Sequence, residues 1–269
     1  MNHSFDIDRA SFRFVFFAIA AVCVFFLMFP SVIILILSFT GEETLRFPPP
    51  SWSMRWYTAL LDATELQDAL VLSFKVAVIA TVSSVLLGVA AALGIARSNS
   101  GWARFLDMIF MSPLILPALA FGFAVLMMFS LLGYRPSLWT LSVGHTVVVV
   151  PFVLRTTLAS LTQLDPAMLE SSRSLGAGEI YTFRRITLPL ISRGVMAGAF
   201  IAFMASFDNV PVSLFLQDAR TQVLPIYLWD IINNQLDSRA ASASGVLIIL
   251  TIVLMVVMER LSGVSKFMR

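Results

Sequence analysis

DPAMLESSRSLGAGEIYTFRRITLPL, residues 165–190, is a polar stretch with internal order lying between two long apolar runs. Asp165 suits an N-cap, and Pro166 suits the first helical position, where its missing N–H would be unpaired anyway. Met168, Leu169, Ser172 and Leu175 recur at helical spacing, which predicts a short helix with one apolar-to-small face. Gly176 can take a left-handed backbone and stop that helix. Ile180, Phe183 and Ile186 predict a second short helix over 179–187. Leu188-Pro189-Leu190 ends it, because proline disfavours helix at the residue before it.

The flanking runs set the class. Of 269 residues, 58% are of the apolar and aromatic types and 13% are charged, and the mean hydropathy is +0.89. A soluble domain carries about a quarter charged residues, so this is an integral membrane protein. The net charge of +2 is small and its arginines lie between spans, so the basic pI of 9.0 speaks for topology rather than for nucleic acid. The single cysteine, Cys23, can make no intrachain disulfide and is expected to be a small buried hydrophobe.

Six apolar runs are long enough to cross the hydrocarbon core: about 14–39, 69–96, 105–132, 139–161, 191–216 and 240–258. The first is longer than a signal-peptide core and no small-x-small site follows, so it is read as an uncleaved span. Ala80, Ser84, Gly88 and Ala92 form a small-residue stripe on the second span, and Gly194, Gly198, Ala202 and Ser206 form another on the fifth. Such stripes let helices approach closely. Pro113, Pro117 and Pro151 lie inside spans, where neighbouring helices or cavity water must satisfy the freed carbonyls. In the first long loop Trp52, Trp56 and Tyr57 suit the headgroup zone.

The distribution of basic residues orients the spans. An inside N-terminus puts Arg9, Arg13, Arg97, Arg104, Arg155, Arg173, Arg184, Arg185, Arg193, Arg260, Lys266 and Arg269 on the cytoplasmic side. Arg46, Arg55, Lys75, Arg135, Arg220 and Arg239 then lie outside. Twelve against six places both termini and residues 165–190 in the cytoplasm. The reading is one transmembrane domain, 1–269, with the first span and outer loop at 1–65 and the remaining core at 66–260.

The stretch 165–190 also carries a resemblance. Glu170-Ser171-Ser172, then Gly176, Ile186 and Leu188-Pro189 resemble, spacing by spacing, the EAA motif of ABC-importer permeases. The departure is Ser-Ser where that family has Ala-Ala. The likeness extends over about 70–260 and takes in PLILPALAFG (113–122), PFVLRTTLASL (151–161) and SFDNVPVSLFL (206–216). The last resembles the spermidine/putrescine branch, in which the residue after the proline matching Pro117 is commonly acidic; here it is Ala118. The resemblance implies an all-α, six-span, type I (MetI-like) permease of the bacterial inner membrane. It implies ABC ATPase subunits that bind ATP and Mg, a second homologous permease and a periplasmic solute-binding protein as partners. Glu170, Ser171, Ser172, Gly176, Ile186, Leu188 and Pro189 would couple to the ATPase. The solute would be a polyamine, or else another small solute such as an amino acid, a phosphonate, iron or thiamine.

No catalytic constellation accompanies these features. His3, His145 and Cys23 are too few and too scattered for a metal or nucleophile site. No GxxxxGK[ST] is present, so this chain has no P-loop and any ATPase is a separate polypeptide. Asp208-Asn209, with Pro211 beyond, is the notable polar pair within a span. A carboxylate at such depth costs about 2.5–3.5 kcal/mol on insertion scales and faces a cavity or a partner. Two readings stand together: a substrate-pathway lining favouring cations, or a structural charge paired with His145 or Lys75 or capping a helix at a Pro211 break. Lys75 and Arg155 are read as snorkelling side chains, and His145 as a hydrogen-bonded packing residue. A secondary transporter would want inverted repeats and several intramembrane charges, which the sequence lacks. A membrane scaffold would not need the cytoplasmic motif.

Overall fold

A computed structural model describes residues 3–98, 100–218, 222–235 and 238–262. Arg220, Lys266 and Arg269, used above to orient the chain, lie outside the described residues. The helices in order are α1 (His3–Leu37), α2 (Arg55–Asp62), α3 (Thr64–Ala96), α4 (Gly101–Ile115), α5 (Ala118–Leu131), α6 (Leu138–Leu161) and α7 (Pro166–Ser174). There follow α8 (Glu179–Thr182), a π-helical turn (Phe183–Thr187), α9 (Leu188–Phe207), α10 (Val210–Leu216), α11 (Leu224–Gln235) and α12 (Ser238–Ser262). Helices dominate because hydrocarbon offers no hydrogen bonds, so each span must satisfy its own backbone. Among the described residues five helices are long and apolar enough to span a bilayer, and six spans result if the bent pair α4–α5 counts as one.

The chain divides into two compact units, residues 1–63 with 231–253, and 64–230 with 254–269. In the first unit the large apolar side chains of α1 from Phe12 to Phe29 are exposed, and so is Cys23. Cys23 is therefore not the buried hydrophobe expected from its apolar surroundings; α1 simply presents its faces outward. The loop after α1 is tied by an antiparallel bridge between Thr40 and Trp52. Trp56 is buried rather than interfacial: its indole N–H donates to the Glu42 carbonyl at 3.1 Å, and the Arg55 guanidinium sits 4.2 Å from its ring centroid. Ser242 at the start of α12 donates to the Ser38 carbonyl at 3.0 Å.

The second unit is built around α6, which packs against both α3 and α9. The two small-residue stripes explain this. Ala80, Ser84, Gly88 and Ala92 are buried on α3, and Gly198, Ala202 and Ser206 are buried on α9. At Gly198 a Cβ would stand 2.9 Å from the Val153 Cα, so glycine is required for the backbones to come this close. Val149, Val153 and Leu154 of α6 fill the seam and are fully buried.

Two spans expected to be continuous are broken. The helix runs through Pro113 but ends at Ile115, and α5 starts after Pro117, 110° away in direction. Pro117 lacks an N–H and cannot continue the ladder. The fifth span breaks at Asp208-Asn209, where α9 stops and α10 begins. The limbs beyond the two breaks, α5 and α10, pack on each other, with Phe123 and Phe215 edge to face at 5.8 Å.

Candidate functional site

The polar stretch between α6 and α9 folds as a helical hairpin. Asp165 caps α7 by accepting the Ala167 N–H at 2.9 Å, and Pro166 takes the first turn, as residue chemistry dictates. Gly176 has a φ of +81° and closes α7. The Ala177 N–H donates to the Ser172 carbonyl at 3.1 Å and the Gly176 N–H to the Arg173 carbonyl at 2.9 Å, the two bonds of a Schellman cap. The chain then reverses into α8, and the Ser172 and Thr182 hydroxyls meet at 2.8 Å in the buried seam between them.

The second helix is not ended by Leu188-Pro189, contrary to expectation. It passes through the π-helical turn Phe183–Thr187 directly into α9, so that 179–207 is one helical rod. The reason is local. Pro189 has no N–H and its ring would clash with the carbonyl four residues back, whereas one wide turn removes both conflicts. The Leu188 N–H accordingly reaches back five residues, to Phe183.

The motif positions divide by exposure. Glu170, Ser171, Gly176, Leu188 and Pro189 are exposed, Ile186 is half-buried and Ser172 is buried. Ser171, Ile186 and Pro189 line one groove of about 570 Å³ together with Asp165, Met168 and Arg185. Leu175 is 88% exposed and Met168 50%, so the anticipated apolar face of α7 turns outward at both, while Leu169 is half-buried and Ser172 buried; Ile180 of α8 is exposed as well. A bent helix pair carrying bare apolar side chains beside three arginines offers a docking knob of mixed chemistry.

At the break in the fifth span the two polar residues part company. Asn209 caps α10, its Oδ1 accepting the Val212 N–H at 2.9 Å. The Asp208 carboxylate is exposed and makes no ion pair among the described residues. It does not meet His145, because both imidazole nitrogens are taken: Nδ1 lies 2.8 Å from Ser206 Oγ and Nε2 lies 3.0 Å from Ser213 Oγ. The cap therefore belongs to Asn209, and the free carboxylate to Asp208.

One charged pair escaped sequence reading. Arg155, expected to snorkel freely, donates to Asp107 Oδ2 at 3.2 Å and to Met111 Sδ at 3.1 Å, joining α6 to α4. Asp107 lies in the otherwise apolar α4, where no sequence period highlights it, and its partner is 48 positions away. Lys75 lies on the rim of a cavity of about 550 Å³ with Glu65 and Asp68.

This geometry, a small-residue helix core with two broken spans and a hairpin between the fourth and fifth, matches known proteins. The sequence profile of the binding-protein-dependent transport system inner membrane component matches residues 84–264. The chain belongs to this family. It is an inner-membrane permease subunit of an ABC importer and not an enzyme. The permease is 26% identical over 231 residues to the spermidine/putrescine transport system permease protein PotC of Escherichia coli K12, covering 86% of this chain and 87% of that one. It is 27% identical over 256 residues to PotC of Haemophilus influenzae, covering 93% and 95%. In fold it resembles a chain of a bacterial ABC transporter that imports the polysaccharide alginate, with a TM-score of 0.76 at 16% identity over 96% of the permease and 97% of that chain.

Proposed function

We propose that residues 165–190 form the cytoplasmic coupling element of the permease, docking on a separate ATPase subunit that binds ATP and Mg. The observation that carries this is the continuity of the hairpin with α9 through the π-turn: a displacement of α7 and α8 reaches a span packed on the core. The motif residues Glu170, Ser171, Gly176, Leu188 and Pro189 stand on its exposed side, available to a partner. The basic-residue balance supports cytoplasmic termini. A second homologous permease completes the pathway, and a periplasmic binding protein delivers the solute.

The solute is a polyamine. The names of the two PotC relatives support this, and so does the Asp208 carboxylate, which makes no ion pair among the described residues and offers a counter-charge for a small cation at a break in a span. The test is uptake in proteoliposomes holding the permease with its ATPase, permease partner and binding protein. Glu170→Arg leaves insertion intact and separates ATP hydrolysis from uptake; undiminished uptake by this variant removes the coupling role. Asp208→Asn lowers spermidine uptake; unchanged spermidine uptake returns Asp208 to a purely structural part.

A further inference from the structure

The hairpin meets the rest of the permease at a second point besides its covalent junction with α9. Glu179, in the first turn of α8, lies between two arginines. Its Oε2 is 3.6 Å from Arg97 Nη1, and its Oε1 is 3.6 Å from Arg173 Nη2. Arg173 belongs to the last turn of α7, whereas Arg97 follows the final residue of α3. Each carboxylate oxygen thus serves a different element, and one side chain links α7, α8 and the cytoplasmic end of α3. Leu93, Ile180 and Phe183 flank the Arg97–Glu179 pair around a cleft of about 220 Å³.

All three charged groups are more than half exposed, so their contribution to stability is small. Their value lies in placement. Arg97 stands where the carbonyl end of α3 favours a cation, and Glu179 stands where the amide end of α8 favours an anion. A hairpin joined to α9 alone could swivel about the π-turn, where the backbone ladder is at its widest. Attached also to α3, it has two anchor points on the helices that embrace α6.

We propose that Glu179 is a positioning residue that tethers the coupling hairpin to α3, so that its displacement moves α3 and α9 together instead of bending the rod at residues 183–187. This inference rests on the coupling reading of residues 165–190. It assigns to Glu179 a role apart from the motif residues, because its partners lie within this chain.

The test uses the assembled importer in proteoliposomes, with Cys23→Ser as background and spin labels at Leu175→Cys and Ala90→Cys. The tethered hairpin gives a narrow distance distribution between the labels. Glu179→Gln and Arg97→Gln each broaden it and lower spermidine uptake per ATP hydrolysed by about two- to fivefold, the range expected for one partly screened ion pair. The double variant is no worse than Glu179→Gln alone. In high salt the wild type broadens towards the variants, because screening weakens exposed pairs, while the variants do not change. An unaltered distribution in Glu179→Gln overturns the tether, as does additive behaviour of the two substitutions. Loss of the ATPase from the purified Glu179→Gln complex also overturns it, since Glu179 would then be a docking residue. If Glu170→Arg fails to uncouple while Glu179→Gln still broadens the distribution, the coupling reading fails and the tether stands as geometry.

Discussion

His145 Nδ1 stands 2.8 Å from Ser206 Oγ, and the same ring reaches Ser213 Oγ with its other nitrogen at 3.0 Å. Ser206 is in α9 and Ser213 in α10, so one imidazole on α6 holds the two limbs of a broken span. With His145 only 1% exposed, neither serine has water as a ready substitute. Removing one partner of a buried hydrogen bond costs about 1–3 kcal/mol per group left unpaired. His145→Leu, which strands two hydroxyls, is therefore expected to destabilise the permease by about 2–6 kcal/mol. Thermal unfolding in detergent measures this. Adding Ser206→Ala and Ser213→Ala to His145→Leu recovers most of the loss.

The bond between Ser172 and Thr182 makes a related prediction at the hairpin. Ser172 occupies a position where the motif has alanine, and its extra hydroxyl is matched by that of Thr182 at 2.8 Å. Ser172→Ala leaves Thr182 Oγ1 buried and unpaired, loosening the α7–α8 turn by about 1–2 kcal/mol. Ser172→Ala with Thr182→Val is close to wild type, because both polar groups are gone. Amide hydrogen exchange of residues 175–178 reads the difference as lost and regained protection.

Pro189 sustains the π-turn through what it lacks. In Pro189→Ala an N–H is restored that can bond to the Arg185 carbonyl, and the ordinary helical register becomes available. Absorbing the extra residue turns α8 and α7 by about 100° relative to α9. Spin labels at Leu175→Cys and Ala90→Cys, with Cys23→Ser, are expected to report a new mean distance, and uptake is expected to fall with ATPase assembly impaired.

The Arg155–Asp107 pair is partly exposed, yet it lies within two apolar helices. An uncompensated charge at the centre of a span costs about 2.5–3.5 kcal/mol on insertion scales, and the Asp107 side chain is 30% exposed, so a fraction of that applies. Arg155→Leu is expected to lower the membrane-inserted yield and the melting temperature. Arg155→Leu combined with Asp107→Leu restores both, since no lone carboxylate remains between α4 and α6.

Much of the permease was legible without coordinates where one residue type has one physical use. Gly176 ends α7 because it can hold φ at +81°, and Asp165-Pro166 starts it because an acceptor and a missing donor suit that place. The stripes through Gly88 and Gly198 announced the two faces that receive α6. The breaks were less legible. Hydropathy runs unbroken across Leu116-Pro117, and a proline inside an apolar run is compatible with a continuous span, as Pro113 and Pro151 show.

The amino-acid order by itself determined the apolar spans, the small-residue seams and the hairpin with its glycine stop, since each depends on side-chain chemistry within a few turns of helix. Tertiary structure alone decided which charges are matched and which are left over. His145 takes two serines and not Asp208, Arg155 finds Asp107 on another helix, and Glu179 joins α7 to α3. Such pairings depend on the angles at which broken helices return to one another, and no local period in the chain encodes those angles.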